Sequence, residues 1–102
     1  MSERVRFFEE AAGDVEQERA WYRSRSETAE ASFLRELDHA IEIVTEAPHR
    51  WPDHIAGTKR YVFRKFPFSL VYFVEDDSVV VVALEAENKE PGYWTGRLRK
   101  RT

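Results

Sequence analysis

Four basic residues, Lys59, Arg60, Arg64 and Lys65, lie within one short stretch of the second half of the chain. In an extended segment, Arg60 and Arg64 share one face, and Lys59 and Lys65 share the other. Cations in this pattern suit contact with a phosphate backbone or an acidic partner. The same pattern is typical of an edge strand that charge protects from aggregation. The spacing leaves both interpretations open.

A second candidate is the aromatic pair Tyr93-Trp94. A tyrosine hydroxyl can donate or accept a proton in catalysis, and either ring can stack on a nucleic-acid base. Packing in the core or in a lid is the alternative for both side chains, and for Trp94 packing is the prediction.

The chain then ends in Arg97-Leu98-Arg99-Lys100-Arg101. This segment predicts a basic C-terminal tail over residues 91–102, in which Arg97, Arg99 and Lys100 contact an acidic protein or DNA. Charged termini are also often disordered and only solubilising.

The other motifs of small enzymes and metal sites do not occur in this sequence. His39, His49 and His54 lack the close spacing of a metal clamp, and no cysteine is present to supply a thiolate. The sequence also lacks a Gly-x-Ser-x-Gly elbow and a glycine-rich phosphate loop. We therefore expect neither a metal ion nor a cofactor.

The composition predicts one domain over residues 1–102. The chain is 42% hydrophobic and 34% charged, as in globular proteins. Residues 1–56 hold 7 Lys and Arg against 13 Asp and Glu, whereas residues 57–102 hold 9 against 6. This balance excludes nucleic-acid binding driven by bulk charge and restricts such binding to a local patch. No apolar run is long enough to span a bilayer, and no signal peptide is evident, so we expect a cytoplasmic protein without membrane contact.

The elements that must position these residues follow from periodicity. Residues 4–8 predict a strand, and residues 11–24 predict a helix. Ser26 is a candidate N-cap for a second helix that ends near Glu46, before Pro48. That helix carries an apolar stripe, which consists of Ala29, Phe33, Leu37, Ala40, Ile41 and Val44.

After a loop over residues 48–57, the period changes to two. Strands are predicted from Thr58, over 68–74 and over 79–84, and the last run is apolar enough to be covered on both faces. This order predicts an α+β fold: an N-terminal strand, a helical hairpin and a three-stranded antiparallel meander, with the helices packed on one face of a twisted sheet.

A series of different short motifs lies along these elements. They are Ala11-Ala12, Trp21-Tyr22, Phe33, Glu36, Leu37, Ala40, Ile41, Pro48, Lys65-Phe66-Pro67-Phe68, Val71-Tyr72, Pro91-Gly92-Tyr93-Trp94 and Arg97. Their order and spacing cover nearly the whole chain and resemble the RelE/ParE superfamily of toxins from type II toxin–antitoxin systems, ParE in particular. The resemblance implies a toxin that is neutralised by a cognate antitoxin of ParD or RelB type, which folds on binding and forms a hetero-oligomer with it.

One departure from the family bears on the target. Many relatives carry a histidine and several arginines before Pro-Gly-Tyr-Trp, whereas this chain has Ala86-Glu87-Asn88-Lys89-Glu90. Cleavage of a phosphodiester needs cations at the phosphate, and carboxylates repel it. The leading hypothesis is therefore a growth inhibitor that binds DNA gyrase without bond chemistry, with Lys89 and the basic strand and tail as contacts.

Two alternatives remain. One is a ribosome-dependent messenger RNA endonuclease, in which Lys59, Arg60, Arg64 and Lys89 hold phosphate and Tyr93 acts as acid or base, with Arg64 the second catalytic candidate. The other is a toxin fold that has lost its activity and only binds an antitoxin.

Overall fold

A computed structural model describes residues 4–99. The elements in chain order are β1 (Val5–Phe7), α1 (Glu9–Arg25), α2 (Glu27–Glu46), β2 (Lys59–Val62), β3 (Phe68–Glu75), β4 (Ser78–Ala86) and α3 (Gly96–Arg99). The predicted order of strand, helical hairpin and three further strands is confirmed.

The four strands form one mixed sheet in the order β1-β4-β3-β2. β2, β3 and β4 are the predicted antiparallel meander, whereas β1 lies parallel to β4, with Val5 opposite Val79. The turn between β3 and β4 places Asp76 and Asp77 at positive φ, 51° and 65°, the conformation that short hairpin turns need and that Asp tolerates.

The helical hairpin is fixed by a cap and an apolar stripe. Ser26 separates α1 from α2, and its hydroxyl accepts a hydrogen bond of 3.0 Å from the Ala29 N–H. This confirms the predicted N-cap, which satisfies one of the free donors of the first turn. The buried residues of α2 all belong to the predicted stripe, and they are Phe33, Leu37, Ala40 and Val44.

The sheet is covered on both faces. Leu70 and Tyr72 of β3 belong to the main core with the helices, whereas Val71 belongs to a second core with Val82 and Trp94. Alternate residues of a strand point to opposite faces, so the C-terminal segment that contains Trp94 covers the face opposite the helices. This explains why Ser78–Ala86 is buried from Val79 onward and confirms the two-sided cover predicted for that run.

The two helices are also joined by a charged cluster. The Glu30 carboxylate accepts hydrogen bonds from Arg19 Nε at 2.7 Å and from Arg23 Nη2 at 2.8 Å. These guanidinium groups, Arg23 first, lower the pKa of Glu30 from 4.5 to about 2.

Because its pKa is lowered in the folded state, Glu30 stabilises the fold at any pH above the pKa of this group in the unfolded chain. The stabilisation is lost as the pH falls from 4.5 towards 2. We expect Glu30→Gln to lower the stability at neutral pH and to flatten the acid dependence in that window. Urea unfolding at pH 2–7 measures the free energy of unfolding across this window. Glu42→Gln, on an exposed position of the same helix, is the matched control and should keep the wild-type profile. Identical profiles for both variants would contradict the prediction.

Candidate functional site

The outer edge of β2 carries the basic residues of the predicted strand. Arg60, Val62 and Arg64 are exposed and alternate with the buried Tyr61 and Phe63, as the period of two predicted. Val62 is 49% exposed although it is apolar. β2 is the last strand of the sheet, so this row of side chains lies along an edge.

Part of that edge is covered by the preceding loop. The Arg60 N–H donates to Pro52 O at 3.1 Å, and the His54 N–H donates to Thr58 O at 2.8 Å. These contacts pair the loop with the first half of β2. The second half, around Val62, is the more open part of the edge.

Neighbouring groups bind the side chain of Lys59 and the backbone of Arg64 and Lys65. The Lys59 ammonium donates to Asp53 Oδ1 at 2.9 Å and to Trp51 O at 3.0 Å, so this cation is partly neutralised. The Lys65 side chain is exposed. The backbone N–H groups of Lys65 and Arg64 donate to Glu36 Oε2, at 3.3 and 2.8 Å. A carboxylate of α2 therefore occupies the paired backbone donors that an anion could otherwise bind.

Tyr93 is partly buried among charged groups of both signs. Its hydroxyl donates to Leu84 O at 3.4 Å. Burial, followed by the charge of Asp14, raises the pKa of Tyr93 to about 12, while Arg97 acts in the opposite direction. The Lys89 ammonium lies 5.1 Å from the centre of the ring, where it interacts with the ring face.

Trp94 is fully buried and is bound to a buried carboxylate. Its Nε1 donates to Glu85 Oε2 at 2.8 Å, and the Gly92 N–H donates to the same oxygen at 3.3 Å. The other oxygen, Oε1, lies 3.2 Å from His54 Nε2. The prediction that Trp94 serves packing is confirmed by its complete burial.

A second carboxylate holds Arg97. Asp14 of α1 accepts from Arg97 Nη1 at 2.8 Å and from Nη2 at 3.0 Å, and its Oδ2 also accepts from the Leu84 N–H at 3.0 Å. Arg97 Nη1 donates in addition to Val82 O at 3.0 Å. Two parallel hydrogen bonds between a guanidinium and a carboxylate are a strong and directional arrangement. Arg97 is thereby engaged within the fold.

The predicted site residues therefore form two groups. Lys59 and Arg60 lie in the first half of β2 and Arg64 and Lys65 follow its end, whereas Lys89, Tyr93 and Arg97 meet around the C-terminal segment. Arg99 is an exposed residue of α3, and Lys100 lies outside the described residues. Which of these residues contact a target stays a prediction.

Asp14 and Glu85 were not among the site residues predicted from the sequence. The signal for Glu85 was present, since it is the one charged residue of β4. A carboxylate in a buried strand needs partners.

Within residues 4–99, side chains of His, Asp and Glu do not form a group of three that could hold a metal ion. In the same part of the chain, none of the helices is long and apolar enough to cross a membrane.

Comparison with known families identifies the family to which this chain belongs. Residues 5–89 match the family described as the ParE toxin of the type II toxin–antitoxin system parDE. The chain belongs to this family. The resemblance predicted from the sequence motifs is thus confirmed, and the ParE-family chain is the toxin of a type II system, in which its partner is a cognate antitoxin. A search of curated proteins gave no match.

Proposed function

We propose that this ParE-family toxin arrests growth in the cytoplasm by binding DNA gyrase, and that the antitoxin neutralises it by folding onto its surface in a hetero-oligomer. The observation that carries the proposal is the environment of Tyr93. A toxin that cleaves RNA needs a proton-transfer group with a suitable pKa beside cations that stabilise the phosphate. A toxin that acts by binding needs neither.

The Tyr93 environment is poorly suited to RNA cleavage. Burial raises the pKa of Tyr93 from 10.0 to about 12, so the phenolate that a general base requires is even less accessible than in a free tyrosine. Asp14, Glu85 and Glu18 raise that pKa further through their charges, and Arg97 lowers it. Arg97 is paired with Asp14, which reduces the positive charge that it could offer.

The exposed basic residues supply the contacts of the proposed binding function. Arg60, Arg64, Lys65, Lys89 and Arg99 have side chains at the surface. The open half of the β2 edge joins exposed cations to an apolar side chain, Val62, and this combination fits a disordered antitoxin segment that is acidic and partly apolar.

The experiment that tests the proposal follows DNA and protein synthesis by pulse labelling after induction of the chain without an antitoxin. A gyrase inhibitor should reduce DNA synthesis first, and the purified chain should inhibit supercoiling of relaxed plasmid by gyrase. An earlier fall in protein synthesis would support the ribosomal alternative. Harmless expression would support an inactive toxin fold that only binds an antitoxin.

Tyr93→Phe separates binding from RNA cleavage. The variant keeps the ring that contacts Lys89 and removes only the hydroxyl, whose hydrogen bond to Leu84 O is long. Growth arrest should therefore stay within about twofold of wild type, because a general acid or base contributes on the order of 100-fold or more. The measurement is survival after graded induction. Arg64→Ala is the companion variant: arrest that survives both changes excludes the nuclease, whereas its loss in Tyr93→Phe would favour the nuclease.

A further inference from the structure

The C-terminal segment Gly92–Arg99 is attached to the rest of the fold near both of its ends. At its start, the Gly92 N–H and Trp94 Nε1 donate to Glu85 of β4. Near its end, Arg97 binds Asp14 of α1 and Val82 O of β4. Both attachments use carboxylates that are largely buried, with 8% and 12% of their side chains exposed.

Asp14 does more than balance the charge of Arg97. Its Oδ2 also accepts from the Leu84 N–H, so one carboxylate joins α1, β4 and the C-terminal segment. β1 ends at Phe7, opposite Val81. Beyond this point the backbone of β4 binds side chains: Val82 O accepts from Arg97, and the Leu84 N–H donates to Asp14. Arg97 is therefore bound to α1 through Asp14 and to β4 through Val82 O.

Glu85 defines the start of the segment in the same way. Gly92 has a φ of +78°, and a Cβ at this position would lie 2.7 Å from Ile55 Cδ1. The chain therefore turns tightly here, and the Glu85 carboxylate binds the N–H of the turn. Trp94, the next residue that Glu85 binds, closes the second core over Val71 and Val82.

We propose that Asp14 and Glu85 are positioning residues, which hold the C-terminal segment in one place so that its exposed end at Arg99 meets the toxin's target already ordered. This inference rests on the proposed binding function. A segment that is already ordered binds without the entropy loss that a flexible segment undergoes when it becomes ordered on the target, and its affinity is therefore higher. Neither carboxylate touches the target itself.

The test compares Asp14→Asn with Asp38→Asn, which makes the same chemical change at an exposed position of α2. Amide hydrogen exchange of the purified chains reports on the segment, through the Arg97 N–H, which binds Trp94 O, and the Leu98 N–H, which binds Thr95 O. Supercoiling by purified gyrase reports on the target. In Asp14→Asn, exchange should accelerate at these amides but not in α2, and the concentration for half-inhibition should rise by about tenfold or more. Asp38→Asn should match wild type in both.

Two results overturn the inference. One is exchange at residues 92–99 that stays slow in Asp14→Asn, and the other is faster exchange with unchanged inhibition. If Asp14→Asn does not fold, Glu85→Gln is judged by the same two measurements.

A wild-type chain that leaves supercoiling unchanged overturns the proposed function instead. Growth arrest by the same variants then decides the inference: retained arrest with a loosened segment overturns it, and lost arrest supports it.

Discussion

Phe33→Ala is expected to lower the free energy of unfolding by about 3–5 kcal/mol. Phe33 is fully buried in the main core, where α1, α2 and the start of β3 meet. Its ring stacks on Tyr22 at 5.2 Å between centroids and meets Phe66 and Phe68 edge-on at 5.9 and 5.8 Å. Truncation therefore removes the apolar transfer energy and the aromatic contacts together, and leaves a cavity lined by rings that cannot all move inward.

The measurement is urea unfolding at neutral pH, with Trp21→Ala as the control. Trp21 is a larger aromatic residue, but it is 50% exposed and its nearest partners are Tyr22 and the Arg25 guanidinium above its ring. Its removal should cost about 1 kcal/mol or less. Because a domain of this size loses roughly 4–8 °C of melting temperature per kcal/mol, thermal unfolding should separate the variants clearly. Equal losses would show that burial does not determine the contribution of these aromatics.

Phe33 also illustrates what the sequence could predict. The helical period of α2 identified its buried face, and Ser26 and Pro48 identified its ends, because these signals are local and repeated. The apolar run of β4 likewise indicated cover on both faces. The cover of the second face could not be predicted in the same way, because the C-terminal segment is short and leads into the basic sequence at the end of the chain.

The C-terminal segment shows why local signals fail there. Composition favours a solvated tail, yet Trp94 is buried and Leu98 packs against the same core. Arg97 was predicted as a target contact from its charge, and the fold uses that charge to pair with Asp14, 83 positions away along the chain. A pair so far apart in sequence leaves no periodic trace, and only the closed fold brings its two members together.

Glu85 escaped prediction for a related reason. A carboxylate within an apolar strand departs from the pattern, but its role depends on partners in two other segments, His54 in the loop after α2 and Trp94 in the C-terminal segment. The departure could have been noticed in the sequence, whereas the identity of the partners could not. Exceptions to local patterning concentrate where a fold has such specific needs.

Trp94→Ala should destabilise the chain by about 3–5 kcal/mol, the cost of removing a fully buried tryptophan. The residue is 0% exposed and closes the second core with Val71, Val82 and Ala83. If the segment were only a solubilising tail, truncation of the Trp94 side chain would cost little stability. A large loss, measured by urea unfolding, is therefore the sign that the second face of the sheet depends on this side chain.

Trp94→Phe divides that loss between packing and hydrogen bonding. Phenylalanine keeps most of the ring but cannot donate to Glu85 Oε2, which the indole N–H reaches at 2.8 Å. The carboxylate would then retain the Gly92 N–H and the His54 ring, and a poorly satisfied buried acceptor costs about 1–3 kcal/mol. Glu85→Gln should therefore cost less in the Trp94→Phe background than in the wild type, because the hydrogen bond between the two side chains is already absent there. Equal costs in the two backgrounds would show that this hydrogen bond contributes nothing and that packing alone accounts for the role of Trp94.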